Sequence, residues 1–302
     1  MFEFMKTFTV RANYECRKDG ILPGYLGSTI RGILGHCIRE TYCQEKDKKC
    51  FLCERREDCM YVRCFNNTGG EAGAVNPYNI YVHGQGKEKW EKGDTCVFDL
   101  TLLGTATEYA EVYLAALIDA EKKGWGAARL PFRLIHVTDS KSGKMLYARG
   151  KSWLHNLNPT ILSIEERNAS YACINFDTPL RIVSSGKLLR NLPFDVLIQF
   201  LSRRMSLITQ KYTDVCLEWD TEMMLQQAAQ IRIADESWRE VPFSRYSINQ
   251  KTGKLELDAI FGWVLYEGDL SCFVPLLEAG KYVHIGKGAT IGFGHYEVFY
   301  DS

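Results

Sequence analysis

The sequence predicts an α+β chain of two successive domains, and three observations carry that expectation. Hydrophobic residues make up 46% of 302 positions, enough for two cores. No apolar run reaches the ~20 residues that a membrane span requires. Strand-like and helix-like periodicities alternate along the chain, and the order of elements in the first half recurs in the second.

Residues 2–12 (FEFMKTFTVRA) read as a strand. After the turn LPGY, Ser28 or Thr29 is the expected cap of a helix running to about Tyr42, with Ile30, Ile33, Leu34, Cys37 and Ile38 as its buried stripe. The cysteine-rich segment 43–65 follows, and a loop through NNTGGEAGAVNP leads to the strands YNIYVHG and TCVFDLTLLG. TEYAEVYLAALIDAEKKG reads as an amphipathic helix that stops at Gly124. FRLIHVTD and KMLYARG close the half as a hairpin around SKSG. Residues 150–170 are irregular and hold Pro159, which puts the domain boundary between 150 and 151.

In the second half, YACINFDTPLRIVSSG gives a strand pair, and a helix opens near Asp195 with Leu197, Phe200, Leu201, Met205 and Ile208 inward. A polar, helical segment 221–240 precedes the strands FSRYSI and KLELDAIFGWVLYEG. The short helix LSCFVPLLEAG, a glycine-rich loop at 284–295 and the strand HYEVFY complete the chain. Each half therefore reads β-α-β-β-α-β. That order defines two tandem ferredoxin-like (RRM-like) domains: 1–150, with a cysteine-rich insertion at 43–65, and 151–302, with the glycine-rich loop.

The 37 basic and 37 acidic side chains cancel, which argues against a binder held to nucleic acid by net charge alone. The charge is segregated, however. Residues 181–215 carry six basic groups (Arg181, Lys187, Arg190, Arg203, Arg204, Lys211) against Asp195 and Asp214, and residues 216–240 reverse the sign. The opening MFEFMKTFTV lacks the apolar core of a secretory signal, so the expected location is the cytoplasm, with no membrane partner.

Five of the eleven cysteines fall between Cys43 and Cys64. The spacing Cys43-x6-Cys50-x2-Cys53-x5-Cys59, with Cys64 as a substitute ligand, suits a closed four-thiolate site. Structural zinc is the expected occupant and an iron–sulfur cluster the alternative; reduced cysteines without a ligand are the plain reading. Four thiolates leave no open position, so no catalytic metal is expected.

The run 284–295 places Gly286, Gly288, Gly292 and Gly294 between His284, Lys287 and His295. Glycines let backbone amides approach a phosphate, although a tight turn needing positive φ would also use them. A dinucleotide fingerprint is excluded by order, because these glycines follow a helix and precede a strand.

LPGYLGSTIRGILGH, the TPLRI…SSGKL…LIQFLSRRMSLI stretch and GWVLYEGDLSCFVPLLEAGKYVHIGKGATIGFGHYEV resemble the CRISPR-associated endoribonucleases that process precursor CRISPR RNA, members of the repeat-associated mysterious protein superfamily. The resemblance implies side-by-side ferredoxin-like domains and a C-terminal glycine-rich loop that contacts RNA. It also implies metal-independent cleavage of the CRISPR repeat, leaving a 2′,3′-cyclic phosphate and a 5′-hydroxyl. Partners would be repeat RNA and other CRISPR-associated proteins. The alternative within the superfamily is a subunit that holds crRNA without cutting it; from another class, a redox protein built on the cysteines remains.

Attack by a 2′-hydroxyl needs a base, an acid and donors around the charged phosphorus. Among six histidines, His36 is the first choice. It lies about 130° from the apolar stripe of the first helix, beside Gly32 and Arg39, and Gly32 and Gly35 would let an RNA backbone come close. The resemblance implies a catalytic histidine on or just after this helix. Tyr25 is the candidate for assisting proton transfer, and Arg39 and Arg31 for stabilising the charged intermediate. RNA contacts are expected from Arg31, from Arg203 and Arg204 (not equally, since neighbours on a helix diverge by about 100°), and from His284, Gly286, Lys287, Gly288, Gly292 and Gly294. The RNA would cross between the domains near His36.

Overall fold

The structure, a computed structural model, describes residues 2–66, 75–246 and 254–301. Part of the expected NNTGGEAGAVNP loop, and the end of FSRYSI, lie outside the described residues. The chain forms two compact units, one of Phe4–Ile161 with Lys211–Asp214, the other of Met1–Glu3, Leu162–Gln210 and Val215–Ser302. The division thus falls after Ile161, where the sequence reading put it at 150. Part of the segment read as irregular is extended: Thr160–Ile161 pairs with the first strand of the chain.

The first unit contains β1 (Lys6–Cys16), α1 (Gly27–Tyr42), α2 (Met60–Cys64), β2 (Tyr78–Val82), β3 (Thr95–Leu103), α3 (Ala110–Ala120), β4 (Phe132–Asp139) and β5 (Met145–Ala148). Its sheet runs β2-β3-β1-β4-β5, all antiparallel. Alternation sets the faces: Phe8, Val10, Ala12, Tyr14 and Cys16 are buried, and the odd-numbered residues between them are half-buried. Ile30, Leu34, Cys37 and Ile38 of α1 and Tyr113 and Leu117 of α3 belong to the same core. Tyr14 ties sheet to helix by donating its hydroxyl to the Leu117 carbonyl at 2.5 Å. The expected cap is not formed. The helix starts at Gly27 after Leu26, without a side-chain cap, so Ser28 and Thr29 lie inside its first turn.

The second unit contains β6 (Tyr171–Phe176), α4 (Phe194–Tyr212), α5 (Thr221–Ala228), β7 (Arg232–Val241), β8 (Ala259–Glu267), α6 (Val274–Val283) and β9 (Tyr296–Asp301). Its antiparallel sheet runs β7-β8-β6-β9. In both units the second strand pairs with the third, the third with the first and the first with the fourth, which is the ferredoxin-like order.

One expectation is corrected here. The second strand of this unit is Arg232–Val241, taken from the segment read as helical to 240, because α5 stops at Ala228. FSRYSI supplies only Ser244–Tyr246, in a separate hairpin with Lys254–Glu256. As an outer strand with mostly exposed side chains, β7 carries little hydrophobic alternation to mark it. Inside, Leu197, Ile198, Leu201, Met205 and Ile208 of α4 are buried, with Ile198 taking the place expected of half-buried Phe200. No helix among the described residues is long and apolar enough to cross a membrane.

Candidate functional site

The helix α1 presents two polar stripes, each set by i, i+4, i+8 spacing. Gly32, His36 and Glu40 form the exposed one. A Cβ at Gly32 would meet nothing within 4 Å, so this stripe is open. The His36 side chain is 62% exposed, which leaves it reachable by a large ligand, and its Nε2 lies 3.0 Å from Glu40 Oε1. Glu40 is also ion-paired with Lys123, just beyond α3. Lys123, with a smaller contribution from His36, holds the Glu40 carboxyl below the usual carboxylate range. A carboxylate fixed in this way orients the imidazole, the support a positioned acid or base requires. Sequence reasoning missed Glu40 and Lys123. The i+4 spacing from His36 was the available signal for Glu40; nothing local marks Lys123.

The second stripe is Arg31, Gly35 and Arg39, and it faces inward. The ring of Phe65, just after α2, lies where a Gly35 side chain would begin: a Cβ there would sit 2.5 Å from its Cε1. Gly35 is therefore a packing glycine, not the opening for RNA that the sequence suggested. Replacing Gly35 by alanine should cost about 1–3 kcal/mol through overpacking. Gly32→Ala should instead stabilise by up to about 1 kcal/mol. Urea unfolding of the two variants checks the contrast.

Arg39 does not reach outward. It donates Nη2 to the carbonyls of Lys46 (2.8 Å) and Lys48 (3.2 Å), and so holds the cysteine-rich segment. Arg31 is half-buried, with its guanidinium 5.5 Å from the Phe65 ring centre. Tyr25 is half-buried two residues ahead of α1.

The expected metal ligands do not assemble. Cys43, Cys50, Cys53 and Cys59 are free, partly exposed thiols. Among the described residues, no three Cys, His, Asp or Glu side chains are grouped to hold an ion. Cys64 is buried, and desolvation pushes its thiol up to about 12. Among the described residues the thiols are not gathered into one site, and no step of the chemistry is routed through a metal.

In the second unit the glycine-rich loop is a tightly wound turn. Gly286, Gly288, Gly292 and Gly294 all have positive φ, as the plain reading of the run requires. Gly292 and Gly294 are buried. Ile285 N–H donates to the Gly294 carbonyl, and Gly294 N–H to that of Pro179. Gly294, at least, already spends both its backbone groups on internal hydrogen bonds. Lys287 is exposed between half-buried Gly286 and Gly288, and this portion is the accessible one.

His284 lies inside the unit. It ends α6 with φ 58°, is 2% exposed, and places Nδ1 3.2 Å from the Phe293 carbonyl and its ring 5.1 Å from that of His295. Burial, then the proximity of His295 and Arg204, holds its pKa well below the usual histidine value. It is a neutral structural histidine. Because the unfolded chain binds this proton more readily, the contribution is intact above pH ~6.5 and is lost as pH falls below that value. Thermal melts at pH 7.5 and 5.5 should show a loss of stability that His284→Asn, which tolerates positive φ, reduces.

His295 places Nδ1 2.6 Å from Asp177 Oδ1 and accepts its structural role. Of the arginine pair, Arg203 is exposed, whereas Arg204 donates Nε to the Val283 carbonyl at 2.5 Å. Desolvation lowers the Arg204 pKa to about 10. Of the two, Arg203 is thus the exposed one. A further polar cluster, Arg11 on both oxygens of Asp99 (2.8 Å each) with His83 at 3.1 Å, ties β1, β3 and the end of β2 together.

Comparison with known proteins gives the family. Residues 5–159, just over half the chain, match the AF_1859_N family, an N-terminal domain. Residues 174–296 match the CRISPR-associated endoribonuclease Cas6. No curated protein sequence matches. Among solved structures, a chain of a partial Cas6-RT-Cas1–Cas2 complex has a TM-score of 0.64 at 12% identity, covering 99% of this chain and 47% of that one. A Cas6 product complex gives 0.59 at 14% identity over 97% and 100% of the two chains. Thermus thermophilus Cas6 gives 0.57 at 11% over 98% and 99%. The chain spans about half the length of the first of these, and at such identities the likeness is one of fold.

Proposed function

From the premise that this chain belongs to the AF_1859_N family and carries a Cas6 endoribonuclease domain, we propose that it binds CRISPR repeat RNA and cleaves precursor crRNA by general acid–base catalysis. The observation that carries the reading is the exposed His36–Glu40 pair beside the open backbone of Gly32. The Cas6 product complex of the same fold supports the choice of RNA as ligand.

The 2′-oxygen forms a bond to the adjacent phosphorus while the bond from phosphorus to the 5′-oxygen breaks. One proton leaves the 2′-hydroxyl and one must reach the departing 5′-oxygen. His36 exchanges one of these protons, with Glu40 keeping its ring oriented, and Tyr25 is the second proton-transfer group. Arg39, bound to loop carbonyls, is not assigned to the reacting phosphate. Lys287 and the accessible part of the glycine-rich loop, with Arg203, would contact phosphates elsewhere on the RNA, where the guanidinium fork suits an oxyanion. The solved complex named for Cas6, RT, Cas1 and Cas2 supports other CRISPR-associated proteins as partners.

Incubating the purified chain with repeat RNA in EDTA tests the reading. Cleavage at one position within the repeat, absent for a scrambled RNA, is expected. Tight binding without any cleavage would favour the guide-holding subunit instead.

A further inference from the structure

The inward stripe of α1 has a property that packing does not explain. Arg31 and Arg39 lie one turn to either side of Gly35, where Phe65 enters. Phe65 is stacked between Tyr61 (centroids 5.8 Å, planes 25° apart) and Tyr78 (4.8 Å, 14°). Arg31 lies across this aromatic column, and Arg39 is anchored by the two carbonyls of the cysteine-rich segment. Both guanidiniums are within electrostatic reach of the Tyr61 hydroxyl. The Arg31 guanidinium also lies beside the Tyr78 hydroxyl, a neutral partner, yet both Nε atoms are buried without an acceptor among the described residues. Neither arginine is ion-paired with a carboxylate there.

Burying a cation without an anion is costly, and buried N–H groups without an acceptor are rare. Two such cations, one on either side of the Phe65 ring that stacks on Tyr61, and held by that stack and by carbonyls, form a preorganised receptor for an anion. A guanidinium fork matches a tetrahedral oxyanion, and a phenol adds a third donor.

We propose that the face of α1 turned toward the segment around α2 is a phosphate-binding site, in which the Nε–H groups of Arg31 and Arg39 and the hydroxyl of Tyr61 donate to the phosphate oxygens. The site deepens the RNA reading, and rests on it only for the source of the phosphate. If that source is the RNA backbone, the stripe of His36 is one residue further round the same helix, so a nucleotide anchored here keeps its neighbours close to the imidazole.

Isothermal titration of the full chain with inorganic phosphate is the test. One saturable site is expected, with sulfate competing. Arg31→Gln and Arg39→Gln should each weaken it about tenfold or more, the loss of one charge-assisted hydrogen bond. Tyr61→Phe removes only the hydroxyl and keeps the stack, so it reports on the site even if an arginine variant does not fold; about a threefold weakening is expected.

Absence of saturable binding, or unchanged affinity in Tyr61→Phe and in folded arginine variants, overturns the proposal. So does stoichiometric zinc or an iron–sulfur cluster in the purified chain together with no phosphate uptake, which would make cysteine thiolates the missing anions. Phosphate that competes with repeat RNA, with a salt dependence reduced by about one charge in the arginine variants, supports the site and makes the RNA backbone its source. Phosphate bound without effect on RNA affinity supports the site with free phosphate as its ligand. A chain that takes up phosphate but ignores repeat RNA overturns the RNA reading and leaves the site standing.

Discussion

His36→Ala is expected to lower single-turnover cleavage of repeat RNA by about 10²–10⁴-fold, the usual contribution of one positioned acid or base. The side chain is largely exposed and its one ion pair is with exposed Glu40, so stability should change by no more than about 0.5 kcal/mol. RNA affinity should stay near that of the unaltered chain, because the imidazole is assigned to proton transfer. Glu40→Gln should cut the rate less, because the imidazole loses only the partner that orients it. Cleavage by His36→Ala at an unaltered rate would remove the site assignment.

Gly294→Ala is expected to be among the most damaging single changes to stability. Gly294 has φ 72°, and an added Cβ would lie well inside van der Waals distance of the Ile285 carbonyl oxygen, itself part of the backbone. Neither group can move aside, since Ile285 N–H is bonded to the Gly294 carbonyl. Left-handed backbone strain and overpacking together should cost about 3 kcal/mol or more, or roughly 10 °C in Tm. Gly288→Ala also has positive φ, but its Cβ would meet only the Phe293 ring, at 3.1 Å and beyond. It should therefore cost less. Thermal melts of the two variants rank them; equal losses would mean that the two turns are equally constrained.

The fold was legible where hydrophobic periodicity is strong. The α1 stripe of Ile30, Leu34, Cys37 and Ile38 and the alternation of β1 mark their elements unambiguously. The Arg232–Val241 strand escaped because its side chains are mostly exposed, and its register is set by pairing with β8 rather than by its own pattern. Local spacing was enough to predict that His36 is exposed, which follows from its angle to the apolar stripe.

It was insufficient for residues whose role depends on a distant neighbour. Gly32 and Gly35 look alike in sequence, yet only the packing of Phe65 makes one open and the other filled. Arg39 and Arg204 read as free cations until the carbonyls of Lys46, Lys48 and Val283 are placed beside them. His284 and the last two glycines of the loop belong to a motif whose backbone is largely consumed in holding its own turn. The cysteine spacing suits an ion, but spacing does not fix where the thiols point, and the described side chains do not converge.

The central claim is that the exposed histidine of α1 drives intramolecular attack by the 2′-hydroxyl. The end groups on repeat RNA, after incubation with the chain in EDTA, test it most directly. A 2′,3′-cyclic phosphate and a 5′-hydroxyl, both lost with His36→Ala, are the expected products. A 5′-phosphate with a 3′-hydroxyl, or cyclic-phosphate products that persist in His36→Ala, would contradict it.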